Sequence, residues 1–407
     1  SDVELTSIEP AGDLLLAHLR RRGRKERERV HARKIVLATG FDGSGRWRAP
    51  AELIADLPAR RYARSADDID FAKLKGKRVG ILGAGASAFD NAAVALEAGA
   101  ARVDLCFRRA ELPRVNPLIW MNFAGLLGHF ADLDDLDRWR FMRHILEDLP
   151  VPPTQDTFWR CRRFENFAWH ADCTWRSIRD MGRFARVEAT AQSFDFDFII
   201  FCTGVETNLA ARPELVSFVD QIARWGDRFT PPAGEESDLL ASHPYLGSAF
   251  EFTERVPGSA PFLGRLHHYT FGAMPSLGLT GAAIPGLKYG LRRLVNGVAR
   301  DLFREDAAAY YQDLLHYAEP ELESLDSAFS WIDRLGADAI PADGWIGQLG
   351  GALPHALLDG LTSSDLDAVA ARATPSHDKI RKRRKPGTAL ARGDKRKKLP
   401  AQKTGRI

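Results

Sequence analysis

The chain has 407 residues, of which 45% are apolar and 10% aromatic, and a formal net charge of +3. This length and composition predict two or three globular domains, and no apolar run is long enough for a membrane span or a signal peptide, so we expect a cytoplasmic protein. The four cysteines (Cys106, Cys161, Cys173 and Cys202) form no Cys-x-x-Cys pair, so neither a redox dithiol nor a zinc site is indicated, and no metal site is predicted.

The amino-terminal 40 residues read as short strands. Leu14–Leu19 forms the first, Arg20–Arg29 has the composition of a charged hairpin turn, and the apolar run that starts at Lys34 ends on Thr39-Gly40. A loop rich in glycine and proline follows.

Residues 77–107 form the most informative segment of the chain. Val79–Leu82 has the pattern of a buried strand, Gly83-x-Gly85 leads into an alanine-rich helix, and Val103–Phe107 forms a second apolar strand. This layout predicts a βαβ unit whose first turn holds a dinucleotide pyrophosphate. Gly83 permits a sharp turn, and Gly85 has no Cβ to obstruct a phosphate, while the helix supplies free N–H groups.

The end of the second strand carries two arginines, Arg108 and Arg109, and its nearest acid, Asp104, lies inside the strand. An acidic residue at that end favours NAD, whereas arginine favours the 2′-phosphate of NADP. We therefore predict NADPH rather than NADH. A solvated basic turn is the alternative interpretation.

Further along the chain, Leu133–Leu149 is predicted to be a helix, and the aromatic-rich segment 158–175 either packs in the core or lines a substrate pocket. Phe196–Gly204 repeats the shape of the strand that ends on Gly40, and a long helix is predicted at Leu287–Phe303. The two matching segments, which end in Thr39-Gly40 and Thr203-Gly204, enclose the βαβ unit. They predict one nucleotide-binding domain inserted into another.

The carboxyl-terminal part is weakly patterned over residues 331–373. Residues 374–407 contain 13 Lys/Arg and 2 Asp/Glu and are predicted to be a basic disordered tail. Such a tail can contact anions electrostatically or simply be a solvated extension. No dedicated nucleic-acid partner is expected.

These motifs together resemble the flavin-containing monooxygenase superfamily of FAD/NAD(P)-dependent oxidoreductases. The likeness covers roughly residues 1–310 and includes Leu37-Ala-Thr-Gly40, Gly83-x-Gly85-x-Ser87-x-x-Asp90, the arginine pair and Asp197-x-Ile-Ile-Phe-Cys-Thr-Gly204. It implies an α/β fold with two Rossmann-like domains, the NADPH domain being inserted in an incomplete FAD domain. The expected division is residues 1–60 (remnant of the FAD domain), 61–195 (NADP-binding domain with a helical insertion) and 196–330 (returning FAD-domain segment and carboxyl-terminal helices).

The resemblance also implies the cofactors FAD and NADPH and the residues that bind them. The pyrophosphate would be held by Gly83, Gly85, Ala86 and Ser87, and the 2′-phosphate by Arg108 and Arg109. The crossings between the two domains would be marked by Thr39, Gly40, Thr203 and Gly204.

Two features depart from the family pattern. An FAD-binding Gly-x-Gly-x-x-Gly does not precede the first Ala-Thr-Gly, which predicts that the sequence is an amino-terminal truncation. The His-Ser-like element of Baeyer–Villiger enzymes is replaced by Arg64-Ser65, which argues against that reaction.

The resemblance implies a monooxygenase that uses a flavin C4a-(hydro)peroxide on a small organic substrate. An NADPH–flavin oxidoreductase without oxygenation and a non-enzymatic NADP-binding remnant remain the alternatives. No catalytic side chain, substrate identity or oligomeric state is predicted.

Overall fold

The computed structural model describes residues 2–23, 27–281 and 283–322. The predicted extension at 331–373 and the predicted tail at 374–407 lie outside the described residues. Residues 1–311 form one compact unit; a second unit begins at residue 312. Within the described part of the chain, no helix is long and apolar enough to cross a membrane.

The strands and helices follow in chain order. The strands are β1 Val3–Ala11, β2 Leu14–Arg21, β3 Arg27–Ala32, β4 Ile35–Gly40, β5 Gly45–Trp47, β6 Tyr62–Arg64, β7 Arg78–Leu82, β8 Arg102–Cys106, β9 Phe167–His170, β10 Trp175–Asp180, β11 Ala185–Ala189, β12 Ser193–Phe196, β13 Phe198–Phe201, β14 Val205–Thr207 and β15 Leu266–Thr270. The helices are α1 Ala51–Ile54, α2 Ala86–Glu97, α3 Pro117–Trp120, α4 Ala124–His129, α5 Asp135–Arg143, α6 Gln155–Arg162, α7 Trp225–Arg228, α8 Asp238–Ala241, α9 Met274–Leu277, α10 Ile284–Glu305 and α11 Ala307–His316. A π-helical segment, His144–Asp148, continues α5.

A five-stranded sheet with the order β6-β13-β7-β8-β9 organises the centre of the molecule, and all of its neighbouring strands are parallel. The predicted βαβ unit is confirmed as β7–α2–β8. Small side chains on α2 let the helix approach the sheet closely, and they bury against apolar strand residues. The fully buried side chains of this layer include Val79, Ile81, Ala88, Phe89, Ala92, Ala93, Ala95, Val103, Leu105 and Ile200.

The sheet also contains β13, which lies between β6 and β7. The boundary predicted at residue 196 therefore falls just before a strand that pairs with β7, and the chain leaves this sheet after Phe201. Strand order is a non-local property, which explains why the local pattern of β13 did not reveal its neighbours. The functional division of the chain into domains stays a prediction.

A separate two-stranded parallel sheet pairs β4 with β15, and the five-stranded sheet lies between them in sequence. The two connections between these sheets run side by side, because β5 and β14 pair as an antiparallel ribbon. This topology agrees with the predicted insertion of one α/β unit into another. Among the described residues, β15 is the only strand that pairs with β4.

The amino-terminal strands form an antiparallel sheet, β1-β2-β3. The predicted charged turn at Arg20–Arg29 is wrong at both ends, since β2 continues to Arg21 and β3 begins at Arg27. Cross-strand ion pairs explain the difference: Arg20 Nε lies 3.0 Å from a Glu4 oxygen, and Arg21 Nε lies 3.1 Å from one of Glu28. Opposite charges on facing strands allow such residues to extend a solvated sheet.

Candidate dinucleotide-binding site

The turn after β7 requires glycine at its first position. Gly83 has a φ of +138°, a conformation that L side chains rarely adopt. A Cβ built on Gly83 would lie 2.3 Å from the carbonyl oxygen of Cys202. Gly83 therefore serves the close approach of β7 and β13 as well as the turn.

Gly85 meets a different requirement. It is the N-cap residue of α2 with ordinary backbone angles, and a Cβ there would meet only the carbonyl oxygen of Val151, at 3.7 Å. No side chain caps the helix, and its first turn has no acidic residue. By helix geometry, the N–H groups of Ala86 and Ser87 have no partner within the helix. This end of α2 leaves open space and unpaired donors of the kind that suit a phosphate.

Both arginines after β8 have exposed side chains. Neither Arg108 nor Arg109 makes a side-chain hydrogen bond or ion pair with any residue that the structure describes. Two guanidiniums without partners, next to the carboxyl end of β8, are available to an anionic ligand.

The acid inside β8 is unavailable to a ribose. Asp104 is buried and accepts hydrogen bonds from Arg102 Nε at 2.7 Å and from His170 Nε2 at 2.8 Å. Burial alone would raise the pKa of Asp104, but the hydrogen bonds from His170 and Arg102 outweigh it and lower this pKa. The carboxylate thus holds β8 to β9, which agrees with the predicted absence of an NAD-selective acid.

A cleft of about 880 Å³ lies beside the arginine pair, a volume that falls in the range of small-molecule sites. Its lining includes the chain on both sides of the pair, the start of α6 and three aromatic residues: Phe107, Ala110, Glu111, Leu112, Pro113, Arg114, Asn116, Ile119, Pro152, Pro153, Thr154, Gln155, Phe158, Trp169 and Ala171. The sequence did not predict this cleft, one wall of which is formed by Pro152 and Pro153. Phe158 and Trp169 also pack against the α2 core, as the core-packing interpretation of the aromatic segment expects, and its role as a substrate pocket stays a prediction.

Each Thr-Gly segment precedes one strand of the ribbon: Gly40 ends β4 and leads towards β5, and Gly204 directly precedes β14. Gly40 and Gly204 have φ angles of +81° and +85°, so each crossing needs a glycine. Thr203 Oγ1 donates to the carbonyl oxygen of Arg48 at 2.8 Å, and Arg48 N donates to Gly204 O at 2.9 Å. The Thr203 hydroxyl thus secures the ribbon between the sheets. Thr39 and Gly40 are exposed at the carboxyl end of β4.

A buried polar network supports this end of β4. His268 Nε2 lies 2.7 Å from Ser44 Oγ and 2.9 Å from Thr270 Oγ1, and the two hydroxyls are 3.0 Å apart. A Cβ on Gly272 would overlap the Ser44 hydroxyl. His267 and His268 are both fully buried. Among the described residues, no three or more His, Cys, Asp or Glu side chains are grouped to hold a metal ion.

Acid should destabilise the fold through this network. Burial lowers the pKa of His268 to about 3, from an ordinary value of about 6.5. Between these two values the unfolded chain binds a proton that the folded chain does not, so stability falls as the pH drops from about 6.5 towards 3. Between pH 6.5 and pH 4.5, we expect the melting temperature of a His268→Gln variant to decrease less than that of the wild type. The exposed His31→Gln variant is the control and should follow the wild type; identical pH profiles for all three proteins would contradict the assignment.

No family model matches the chain. The FAD-dependent urate hydroxylase of Xanthomonas campestris pv. campestris is 43% identical over 290 residues, which are 71% of this chain and 61% of the relative. The chain thus spans about three fifths of the length of this curated relative.

Solved structures of flavin-dependent N-hydroxylating enzymes share the fold at low sequence identity. L-lysine 6-monooxygenase from Pseudomonas syringae matches with a TM-score of 0.53 at 16% identity over 74% of this chain and 71% of its own. The reduced ornithine hydroxylase from Pseudomonas aeruginosa matches with a TM-score of 0.52 at 15% identity, over 73% and 71%. The ornithine N-hydroxylase of Kutzneria sp. 744, in a complex with reduced FAD and NADP⁺, matches with a TM-score of 0.52 at 14% identity, over 74% of this chain and 72% of its own.

The comparisons confirm the predicted resemblance to flavin monooxygenases and the predicted α/β fold class. The chain is thus similar in sequence to an FAD-dependent hydroxylase and shares its fold with flavin-dependent monooxygenases.

Proposed function

We propose that this protein is an FAD- and NADPH-dependent monooxygenase that hydroxylates a small organic molecule. The observation that carries the proposal is the 43% identity to an FAD-dependent urate hydroxylase. The glycine turn at the end of β7 and the two arginines after β8, which make no ion pair with any described residue, agree with it. Urate is the first substrate to test, because it is the substrate named for that relative.

The residues of the turn fit a bound dinucleotide. Gly83 shapes the turn, Gly85 leaves room for the pyrophosphate, and the N–H groups of Ala86 and Ser87 would donate to it. The guanidiniums of Arg108 and Arg109 would bind the 2′-phosphate as the NADPH-selective contact. The cleft beside them offers apolar walls from Phe158 and Trp169 for the adenosine.

The residues present give FAD only part of a site. Thr39 and Gly40 are exposed at the carboxyl end of β4, and Thr203 and Gly204 form the neighbouring crossing. Among the described residues, no second phosphate-binding glycine turn lies at the β4–β15 sheet, so this part of the chain offers no site for the flavin pyrophosphate. Bound flavin would supply hydride acceptance and oxygen activation, while the protein binds, orients and excludes water.

A cytoplasmic location and a small-molecule partner complete the proposal. The four cysteines are free thiols, as is usual in a reducing compartment. No dedicated nucleic-acid partner is proposed.

The test uses the full chain, purified and reconstituted with FAD, with absorbance near 450 nm as the readout for bound flavin. We expect flavin binding, NADPH oxidation that depends on urate or another small substrate, and hydroxylated product in step with the NADPH consumed. NADPH oxidation that yields only hydrogen peroxide would favour the non-oxygenating oxidoreductase. NADPH binding without any flavin binding would favour the NADP-binding remnant.

A further inference from the structure

Cys106 and Cys173 lie close to the arginine pair in the fold, although no sequence motif links the two cysteines. Cys106 is the last residue of β8, and Cys173 follows β9. Both side chains are buried in the same apolar cluster, at 0% and 1% exposure, and their backbones are adjacent, because Cys173 N donates a hydrogen bond to the carbonyl oxygen of Phe107, the residue after Cys106, at 2.9 Å. The sequence expectation that no redox dithiol is present rested on spacing alone, and the fold brings the two thiols together.

The loop that carries Cys173 is tied to the chain that carries the arginines. Phe107 N donates to His170 O at 3.1 Å, Cys173 N donates to Phe107 O at 2.9 Å, and Asp172 N donates to Arg109 O at 2.9 Å. Asp172 also adopts a positive φ of 51°, which is uncommon for a residue other than glycine. A change in the distance between the two sulfurs would therefore be transmitted directly to the backbone of the arginine pair.

The polar surroundings favour one thiolate over the other. The neighbouring Cys106 thiol lowers the pKa of the Cys173 thiol, with a smaller lowering contribution from His170, whereas the Cys173 thiol and burial raise the pKa of Cys106. Trp175 Nε1 is buried and has no hydrogen-bond partner among the described residues. A buried donor without a partner calls for an explanation, and a neighbouring thiolate is one.

The other two cysteines lack these features. Burial raises the pKa of Cys161 to about 12, and it also raises the pKa of Cys202. Their thiols donate to the carbonyl oxygens of Phe89 and Ser87 instead. They are the natural internal controls.

We propose that Cys106 and Cys173 form a peroxide-sensitive dithiol whose closure to a disulfide weakens NADPH binding at the adjacent arginine pair. The oxidant is a hydroperoxide, and its simplest form is H₂O₂. The Cys173 thiolate attacks one peroxide oxygen and the O–O bond breaks, leaving a sulfenic acid and, after protonation, one water. The Cys106 sulfur then attacks the Cys173 sulfur, its proton leaves with the departing hydroxide as a second water, and the S–S bond forms.

The electron balance is complete, since two thiols lose two electrons and two protons and the peroxide becomes two waters. The new covalent bond is about 2.05 Å long, shorter than any hydrogen-bonded contact between thiols, so it draws the Cys173 loop towards β8. The backbone of Arg109 is bonded to that loop and must shift with it. The effect on NADPH rests on the proposed function, whereas disulfide formation does not.

The experiment treats the reduced full chain with H₂O₂, maps disulfides by mass spectrometry without reduction, and measures NADP⁺ binding by calorimetry before and after treatment. We expect a Cys106–Cys173 cross-link with the loss of two hydrogen atoms, reversal by dithiothreitol, and a dissociation constant for NADP⁺ raised about tenfold, the effect of losing one charge-assisted hydrogen bond. Cys161→Ser should behave as the wild type. Cys173→Ser should form no cross-link and bind NADP⁺ equally well with and without peroxide.

Each failure has its own meaning. No Cys106–Cys173 cross-link in the wild type, or a cross-link through Cys161 or Cys202, would overturn the dithiol whether or not any variant folds. A cross-link that leaves NADP⁺ affinity unchanged would overturn the coupling to the arginine pair. If the reduced chain binds no NADP⁺, the proposed function fails, while the disulfide map still decides whether the dithiol exists.

Discussion

Replacement of both Arg108 and Arg109 by alanine should raise the dissociation constant for NADPH about 100-fold and leave that for NADH nearly unchanged. The two side chains are exposed and make no ion pair with described residues, so their removal leaves no buried charge behind. Each charge-assisted hydrogen bond to a phosphate contributes about 1.5–3 kcal/mol, and two such contacts exceed the roughly 2.7 kcal/mol that a 100-fold change requires. Calorimetric titration of the full chain with both nucleotides measures the difference directly.

The matched control is Arg176→Ala with Arg179→Ala, which removes the same charge from two exposed positions on β10. It should preserve the preference for NADPH, because the screened field of distant charges adds little at physiological ionic strength. Equal loss of NADPH and NADH binding in the Arg108/Arg109 variant would contradict the 2′-phosphate clamp. The wild-type preference should also decrease as the salt concentration rises.

The parts of the fold that the sequence revealed are those with local signals. β7, α2 and β8 follow one another within 29 residues, and each has the hydrophobic period of its own element. The glycines that end β4 and precede β14 were recognisable because the left-handed backbone at Gly40 and Gly204 admits few other residues. The predicted helix at Leu133–Leu149 is present as α5 and its π-helical continuation.

The parts that the sequence hid depend on pairing across long distances. β5 and β14 have only three residues each and become strands by pairing with each other. The Cys106–Cys173 contact exists because β8 and β9 are neighbours, although an insertion of several helices separates them in sequence. Such contacts leave no periodic trace in the chain.

The same distinction applies within the candidate site. The glycine turn and the arginine pair belong to the β7–α2–β8 unit, whose pattern is visible in the sequence. The cleft beside them is assembled from separate segments of the chain. Its wall at Pro152–Gln155 meets the aromatic wall only because α6 packs on α2. The glycine turn and the arginine pair could thus be located from the sequence, whereas the cleft beside them could not.

The two glycines of the turn should respond differently to the same substitution. Gly83→Ala should lower the free energy of unfolding by about 3 kcal/mol, because alanine is strained at positive φ and its Cβ would overlap the Cys202 carbonyl oxygen. Gly85→Ala should change that free energy by about 1 kcal/mol or less, since its backbone angles are ordinary and its Cβ meets no atom closer than 3.7 Å.

For nucleotide binding we expect Gly85→Ala, and not Gly83→Ala, to have the larger effect when both variants are compared in the folded state. The Cβ of Gly85→Ala would project into the open space at the end of α2, where the pyrophosphate is expected, so this folded variant should bind NADP⁺ about tenfold or more weakly. Chemical denaturation measures the stabilities, and calorimetry at a temperature where both variants are folded measures binding. A Gly85→Ala protein with wild-type affinity would mean that the phosphate does not approach this turn, and a Gly83→Ala protein with wild-type stability would mean that β7 and β13 are not held as closely as the 2.3 Å approach requires.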